Sequence, residues 1–292
     1  MLTLERLLGV RSMAELGQRD GGNVQREGGG LLWYEPVEPL AGIARVRMTT
    51  RLGGMSRPPY DSLNLGTHVG DVGERVRLNR IAVRRTLDRH LLEPVVADQV
   101  HGTHAQAVGE LHAGTRWERR EETLAKTDAL VNHARHLPLV ILVADCLPIA
   151  LVDPERQVAA AVHAGWRGLA GGILEKTLDR MASAWGTLAQ DVVAWIGPGI
   201  GPCCYQVGED VAQQFPGDAT PDGPGHARLD LRSAALRRLR KAGVVEENLT
   251  GLELCTSCRD DLFFSHRRAT SRGEEATGRQ AMLVWLDPPF ER

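Results

Sequence analysis

Aromatic residues are scarce, 4% of 292, and six of the thirteen are tryptophan. An excess of one charge is also missing. The formal net charge is −2 with histidine neutral, so no polyanion-binding surface is advertised and nucleic acid is set aside as a partner. Cysteine is sparse and odd in number, five in all. Without a secretory context this argues against a disulfide framework and leaves thiols free to bind metal or react. Long hydrophobic runs are absent. The longest, 137–152, is interrupted by Asp145 and falls short of the ~20 residues a spanning helix needs. The opening residues, Met1 to Arg6, lack the apolar core and cleavage site of a signal peptide. These absences lead us to expect a cytoplasmic protein with no membrane partner, as a monomer or homodimer.

What is present is ordinary globular composition, 42% apolar and 25% charged, with enough chain for a full core. Residues 1–30 are polar and end in Gly28-Gly29-Gly30, which predicts a flexible extension. No Pro/Ser-rich linker divides 31–292, so one domain is expected there. Strands are read at 42–50, 94–101, 104–108, 137–144, 147–152, 192–196, 252–255 and 280–286. Helices are read at 74–92, 169–181, 210–215 and 231–239, and loops at 111–126 and 216–225. Strands outnumber helices and several are hairpin-spaced. The expected fold is α/β (α+β): a mixed, mainly antiparallel β sandwich flanked by helices.

The organising stretch is 157–169, QVAAAVHAGWRGL. It reads as an apolar strand, a turn at Gly165 and a helix. The turn carries His163, Trp166 and Arg167, so an imidazole, an indole and a guanidinium fall within five positions. Two more candidate ligands follow apolar strands, His101 and Cys146. A His₂Cys set with an open position is a known catalytic zinc arrangement, and copper also suits these donors. Spacing alone leaves open that each is a packed core or loop residue. Arg51 and Arg167 each sit beside glycine, where backbone can approach a ligand, and a guanidinium matches phosphate geometry. Surface salt bridges are the alternative. Asn64 is a weaker candidate, with a turn cap as its alternative. Asp145 either orients a metal ligand or caps its strand. Cys203, Cys204, Cys255 and Cys258 admit a structural zinc, a redox pair or plain packing, and plain packing is the expectation. Gly197–Gly201 lacks the Lys-Ser/Thr of a nucleotide P-loop and reads as a structural turn.

Ten stretches run in order over about 31–290: TRLGGMS (50–56), SLNLG (62–66), HVGD (68–71), NR (79–80), QVHGT (99–103), TDALV (127–131), ADCLP (144–148), VHAGWRG (162–168), IGPGI (196–200) and GR (278–279). In these the chain resembles the bacterial laccase-domain family. Its members have been labelled multicopper polyphenol oxidases and described as zinc-dependent purine nucleoside phosphorylases. The resemblance implies a sandwich similar to the catalytic domain of cytotoxic necrotizing factor toxins. It implies zinc on His101, Cys146 and His163. It also implies phosphorolysis of adenosine, inosine and guanosine, cleavage of methylthioadenosine, and adenosine deamination, with purine nucleosides and phosphate as partners. Arg51, Asn64 and Arg167 fall in matching motifs as candidate catalytic residues. Two positions depart from the pattern: Gln206 stands for a Glu, and His266 for a Tyr. Either would alter base preference or rate if it met substrate. Three other readings stand beside this one. Copper-dependent phenol oxidation is disfavoured, because one His₂Cys set is too few histidines for a multicopper cluster. A metal-free Cys146–His163 amidase or deamidase is the second. A non-enzymatic cell-wall quality-control factor is the third.

Overall fold

The run Leu139–Val143 is buried at every position, and so are Leu147–Asp153, Val158–Ala164 and Gln280–Leu286. A strand apolar on both faces needs cover on both faces, and the fold supplies it by stacking two sheets between helices. The computed structural model describes residues 22–38, 40–117, 124 and 126–287. The first sheet runs, edge to edge, Asn23–Gly28, Leu31–Pro36, Ala44–Thr49, Gln280–Leu286, Leu139–Val143, Val95–Val96. Only its last pairing is parallel. The second runs Leu249–Gly251, Val193–Ile196, Leu147–Asp153, Val158–Ala164, Ala129–Asn132, Ala105–Ala107. It is parallel only at its two edges. A small antiparallel sheet joins Gln206–Gly208, His226–Leu229 and Ala219–Pro221.

Side-chain parity sorts the core into three layers. Between the large sheets lie Val46, Met48, Leu139, Ile141, Met282 and Val284 from the first, and Leu130, Ala150, Val152, Ala159, Ala161 and Trp195 from the second. The alternate residues of the first sheet, Val140, Leu142, Ala281 and Leu283, pack with Val83, Leu87 and Leu91 from the helical side. The alternate residues of the second, Leu147, Ile149, Val158, Ala160 and Val162, pack against Leu169, Ile173, Leu174, Leu178, Leu231 and Leu239. Each fully buried aliphatic side chain here contributes about 1.5–3 kcal/mol. The result is the expected mixed, mainly antiparallel sandwich with helices outside.

Several boundaries differ from the expectation. Asn23–Gly28, assigned to a flexible extension, is an edge strand hydrogen-bonded along its length to Leu31–Pro36. Asn23 also receives the Trp195 Nε1–H at 2.9 Å and donates to Gly251 O at 2.9 Å, so this strand is tied to the second sheet. Residues 1–21 lie outside the described residues. The first helix spans Gly73–Thr86 and stops before Leu92. The strand expected over 94–101 is only Val95–Val96. Beyond it the Gln99 side chain takes the ladder's place, donating to Leu142 O at 2.7 Å and accepting from Leu142 N at 2.8 Å. The last short strand is Leu249–Gly251 rather than 252–255, and Ala219–Pro221 is a strand inside the expected loop 216–225. Among the described residues no helix is long and apolar enough to cross a membrane.

Candidate metal centre and cleft

His163 ends the strand Val158–Ala164, and Gly165 caps the helix Trp166–Ala170 that follows. Its Nδ1 lies 2.8 Å from Asp128 Oδ1. A carboxylate only accepts, so Nδ1 carries the proton and Nε2 is left for a ligand. Asp128 is fully buried, and the same carboxylate holds a second candidate ligand in place. It accepts the N–H groups of His101 at 3.0 Å, Gly102 at 2.7 Å and Val100 at 3.3 Å. That capping stabilises a left-handed backbone at His101, φ 60°, which costs a non-glycine residue on the order of 1–3 kcal/mol.

Cys146 follows Leu139–Val143 on the next loop. Asp145 before it is also left-handed, φ 94°. Its carboxylate is used elsewhere: it accepts Thr256 Oγ1–H at 2.7 Å and Arg267 N–H at 2.7 Å. Asp145 is thus a brace between loops, and Asp128 is the residue that orients the candidate ligands His101 and His163. Sequence reasoning missed Asp128. It sits in the TDALV stretch, but its partners are 26–35 residues away in sequence.

The donor atoms of His101, Cys146 and His163 all lie within 4.8 Å of one another, and the two imidazole rings meet edge to face at 4.9 Å. Gly165 keeps the space open. A Cβ there would stand 2.8 Å from Cys146 Sγ and 3.3 Å from His101 Cδ2. Burial alone would raise the Cys146 thiol, but the charge of His163 and hydrogen bonds from both imidazoles outweigh it and bring it down to about 6. Burial alone would lower His163, but the Cys146 thiolate and Asp128 outweigh that and raise it to about 9. Burial likewise works to raise Asp128, and its bond to His163 and the loop N–H groups hold it below the usual carboxylate range. Between about pH 6 and 9 the side chains therefore favour a thiolate beside imidazolium, and a metal that displaced the His163 Nε2 proton would meet a borderline-soft N₂S donor set suited to zinc or copper. These residues fit a metal ion.

The three donors line a cleft of about 570 Å³, together with His68, Trp166, Arg167, Tyr205, His266 and Arg279. Arg167 stacks over the Trp166 ring at 4.4 Å, and among the described residues no hydrogen bond or ion pair to its guanidinium is found. Other lining guanidiniums are engaged. Arg80 bonds Leu65 O, Arg116 O and Trp117 O. Arg116 pairs with Asp98 at 3.1 Å, and Arg279 bonds Thr277 O and Gly278 O. Burial lowers His68, and the nearby Arg279, Arg116 and Arg80 lower it further.

Two other sequence candidates lie outside the lining. Arg51 donates to Asp61 O at 2.7 Å and Asp260 O at 3.1 Å and pairs with Asp61 at 3.0 Å. It staples loops. Asn64 is fully buried and accepts the Gly66 and Arg279 N–H groups, both at 2.9 Å. It meets the cleft wall through the backbone of Arg279 and also donates to Gly66 O at 3.2 Å and Asp71 at 3.0 Å. Of the two departures from the family pattern, His266 lines the cleft. Gln206 instead bonds Asp222 at 2.8 Å. The four other thiols, expected to pack plainly, converge instead, with Cys203 and Cys258 exposed.

Residues 45–287 match the family model described as multi-copper polyphenol oxidoreductase laccase. A purine nucleoside phosphorylase, YfiH, of Shigella flexneri is 36% identical over 260 residues, covering 86% of this chain and 97% of that one. A purine nucleoside phosphorylase, YlmD, of Geobacillus stearothermophilus is 36% identical over 258 residues, covering 84% and 91%. The crystal structure of YlmD from Geobacillus stearothermophilus superposes with a TM-score of 0.82 at 33% identity, covering 90% of this chain and 98% of that one. That of the Bacillus licheniformis hypothetical protein YfiH gives 0.81 at 32%, covering 90% and 99%. The chain belongs to the multi-copper polyphenol oxidoreductase laccase family, among relatives that bear the name purine nucleoside phosphorylase.

Proposed function

We propose that this protein is a zinc-dependent purine nucleoside phosphorylase, transferring ribose from adenosine, inosine, guanosine or methylthioadenosine to phosphate, with adenosine deamination as a second activity of the same cleft. The observation that carries the reading is the convergence of two imidazoles and one thiol within 4.8 Å in a cleft that also holds Arg167. The name carried by its relatives supports it.

Bound zinc would supply Lewis acidity at the cleft floor, held by His101, Cys146 and His163. The rest falls to side chains. Arg167, pre-set against Trp166, grips the phosphate, because a guanidinium matches its oxygens two at a time. Breaking the N-glycosidic bond builds positive charge on the sugar, and a phosphate dianion held beside ribose offsets that charge. The leaving base gains negative charge and needs a hydrogen-bond donor. His68, kept neutral by burial and neighbouring arginines, presents one N–H for that purpose. Trp166 serves mainly as the plate under Arg167.

A second reading has one observation in its favour. The Cys146, His163 and Asp128 order, with Asp128 on His163 Nδ1, has the logic of a metal-free nucleophile–base–orienter set. Chromatography of adenosine plus phosphate with the purified protein separates the readings. Release of adenine and ribose-1-phosphate, lost on chelation and restored by zinc, is the expected outcome. Inosine as the sole product would leave only a deaminase, and turnover that survives complete metal removal would favour the nucleophile.

A further inference from the structure

A second group of donors lies away from the cleft floor. Cys203 and Cys204 come from the loop after Val193–Ile196, and Cys255 and Cys258 from the loop after Leu249–Gly251. All four sulfurs lie within 4.8 Å of one another. Cys258 Sγ is 3.5 Å from Cys203 Sγ and 3.4 Å from Cys204 Sγ. Bonded sulfurs would stand at about 2.05 Å, so these are separate thiols. Four thiolates around one zinc at about 2.3 Å form a tetrahedron with edges of about 3.8 Å. The observed spacings lie close to that edge.

Core packing accounts for only half of the arrangement, since Cys204 and Cys255 touch the core on the helical side of the second sheet and the other two do not. Cys203 and Cys258 are exposed, and Cys204 and Cys255 are half-buried. Apolar burial gives exposed side chains little reason to gather at one point. The backbone is arranged around sulfur as well. Gly201 N–H donates to Cys255 Sγ at 3.2 Å, the kind of bond that steadies a thiolate. A side chain at Gly201 would crowd Cys203 Sγ at 3.3 Å and Cys255 Cβ at 3.4 Å. The two loops meet otherwise at one bridge, Gly199 with Cys255.

We propose that Cys203, Cys204, Cys255 and Cys258 form a structural tetrathiolate site for zinc. Four protein sulfurs leave no open position, so the ion would staple loops rather than catalyse. The staple has a purpose. The first loop leads to Tyr205 and the second to His266 and Arg267, all three on the cleft wall. The site is independent of the phosphorylase reading, and its test needs no turnover.

The test is zinc content and metal spectroscopy on the full chain, purified anaerobically from zinc-supplemented cells. Wild type should hold two zinc ions per chain, and Cys146→Ala one. X-ray absorption of the zinc left in Cys146→Ala should fit four sulfur neighbours, and cobalt in its place should give intense thiolate charge-transfer bands. Cys258→Ser, at an exposed position, should lose one zinc and keep its fold by circular dichroism. The proposal is overturned if zinc in Cys146→Ala fits nitrogen or oxygen neighbours, if that protein holds none, or if mass spectrometry finds the four cysteines as disulfides. Should Cys258→Ser fail to fold, the sulfur count in Cys146→Ala decides alone.

Discussion

His163 and Cys146 set the residue-scale behaviour, because each moves the other's proton. In metal-free protein the thiol ionises near 6 rather than at its ordinary 9.0, so alkylation by iodoacetamide should follow a midpoint near pH 6. Below it the rate should drop about tenfold per unit, since only thiolate attacks. A midpoint near pH 9 would contradict the ion pair. Melting is a poor readout of the same pair. The Cys146 pKa is depressed on folding, so its contribution grows as pH rises from about 6 towards 9. The His163 pKa is raised from 6.5 to about 9, so its contribution fades between those values. From 6.5 to 9 the unfolded chain binds the thiol proton while the folded chain binds the imidazolium proton. The two slopes cancel, and stability should be flat there.

Two arginines that look alike in sequence separate at the same scale. Both Arg51 and Arg167 precede glycine or a Gly-containing turn, and both suggested an anion grip. The Asp61 and Asp260 carbonyls occupy Arg51, while Arg167 stands over Trp166 in the cleft. Arg167→Gln is expected to raise KM for phosphate at least about tenfold, the value of a charge-assisted contact, with Tm unchanged. Arg51→Ala is expected to cost about 1–3 kcal/mol of stability through unpaired carbonyls, with KM for phosphate unchanged. Steady-state kinetics and urea titration on both proteins check the pair; the reverse pattern would return Arg51 to the site.

At the scale of elements, the strand–turn–helix of 158–170 carries the argument. Gly165 has φ −78°, which any residue adopts, so its glycine is needed for space rather than conformation. Gly165→Ala should therefore leave Tm within a few degrees, since the unfolded chain also loses entropy. It should weaken metal binding about 10–100-fold, because the added carbon meets Cys146 Sγ. Chelator competition measures this, and unaltered affinity would show that the donors do not share one ion. This element was legible because apolar run, glycine and helix stripe follow each other, although Gly171 and the left-handed Gly172 break the helix expected over 169–181 into Trp166–Ala170 and Ile173–Trp185. The same holds for Gln280–Leu286, read to the residue, since both of its faces are buried. Val95–Val96 was overextended because Gln99 imitates a strand residue with its side chain, which no periodicity reveals. Asp128 escaped for a related reason. Its carboxylate is spent on N–H groups from another loop, and a buried Asp looks no different in sequence from a capping one.

For the whole molecule, the two sheets are joined at an edge that the sequence hid. Asn23–Gly28 is polar and follows a polar stretch, so it resembled a tail. Its register with Leu31–Pro36 and the bonds from Asn23 to Trp195 and Gly251 tie it to both sheets. Asn23→Ala leaves the buried indole N–H without this acceptor and should cost about 1–3 kcal/mol by urea denaturation, with activity at low temperature retained. No loss would mean that the strand is ornamental. The cleft itself lies where loops from both sheets meet. His101 and Cys146 come from loops leaving the first sheet, and His163 from a strand of the second, which is why donors remote in sequence share one point.

The most direct measurement is adenine release from adenosine and phosphate, followed while the protein is stripped of metal and then titrated with zinc, in wild type and in Cys146→Ala. Zinc dependence requires that wild-type release vanish with the metal and return as zinc rebinds, and that Cys146→Ala release none at any zinc level. Full release by metal-free protein, or by Cys146→Ala, would contradict it.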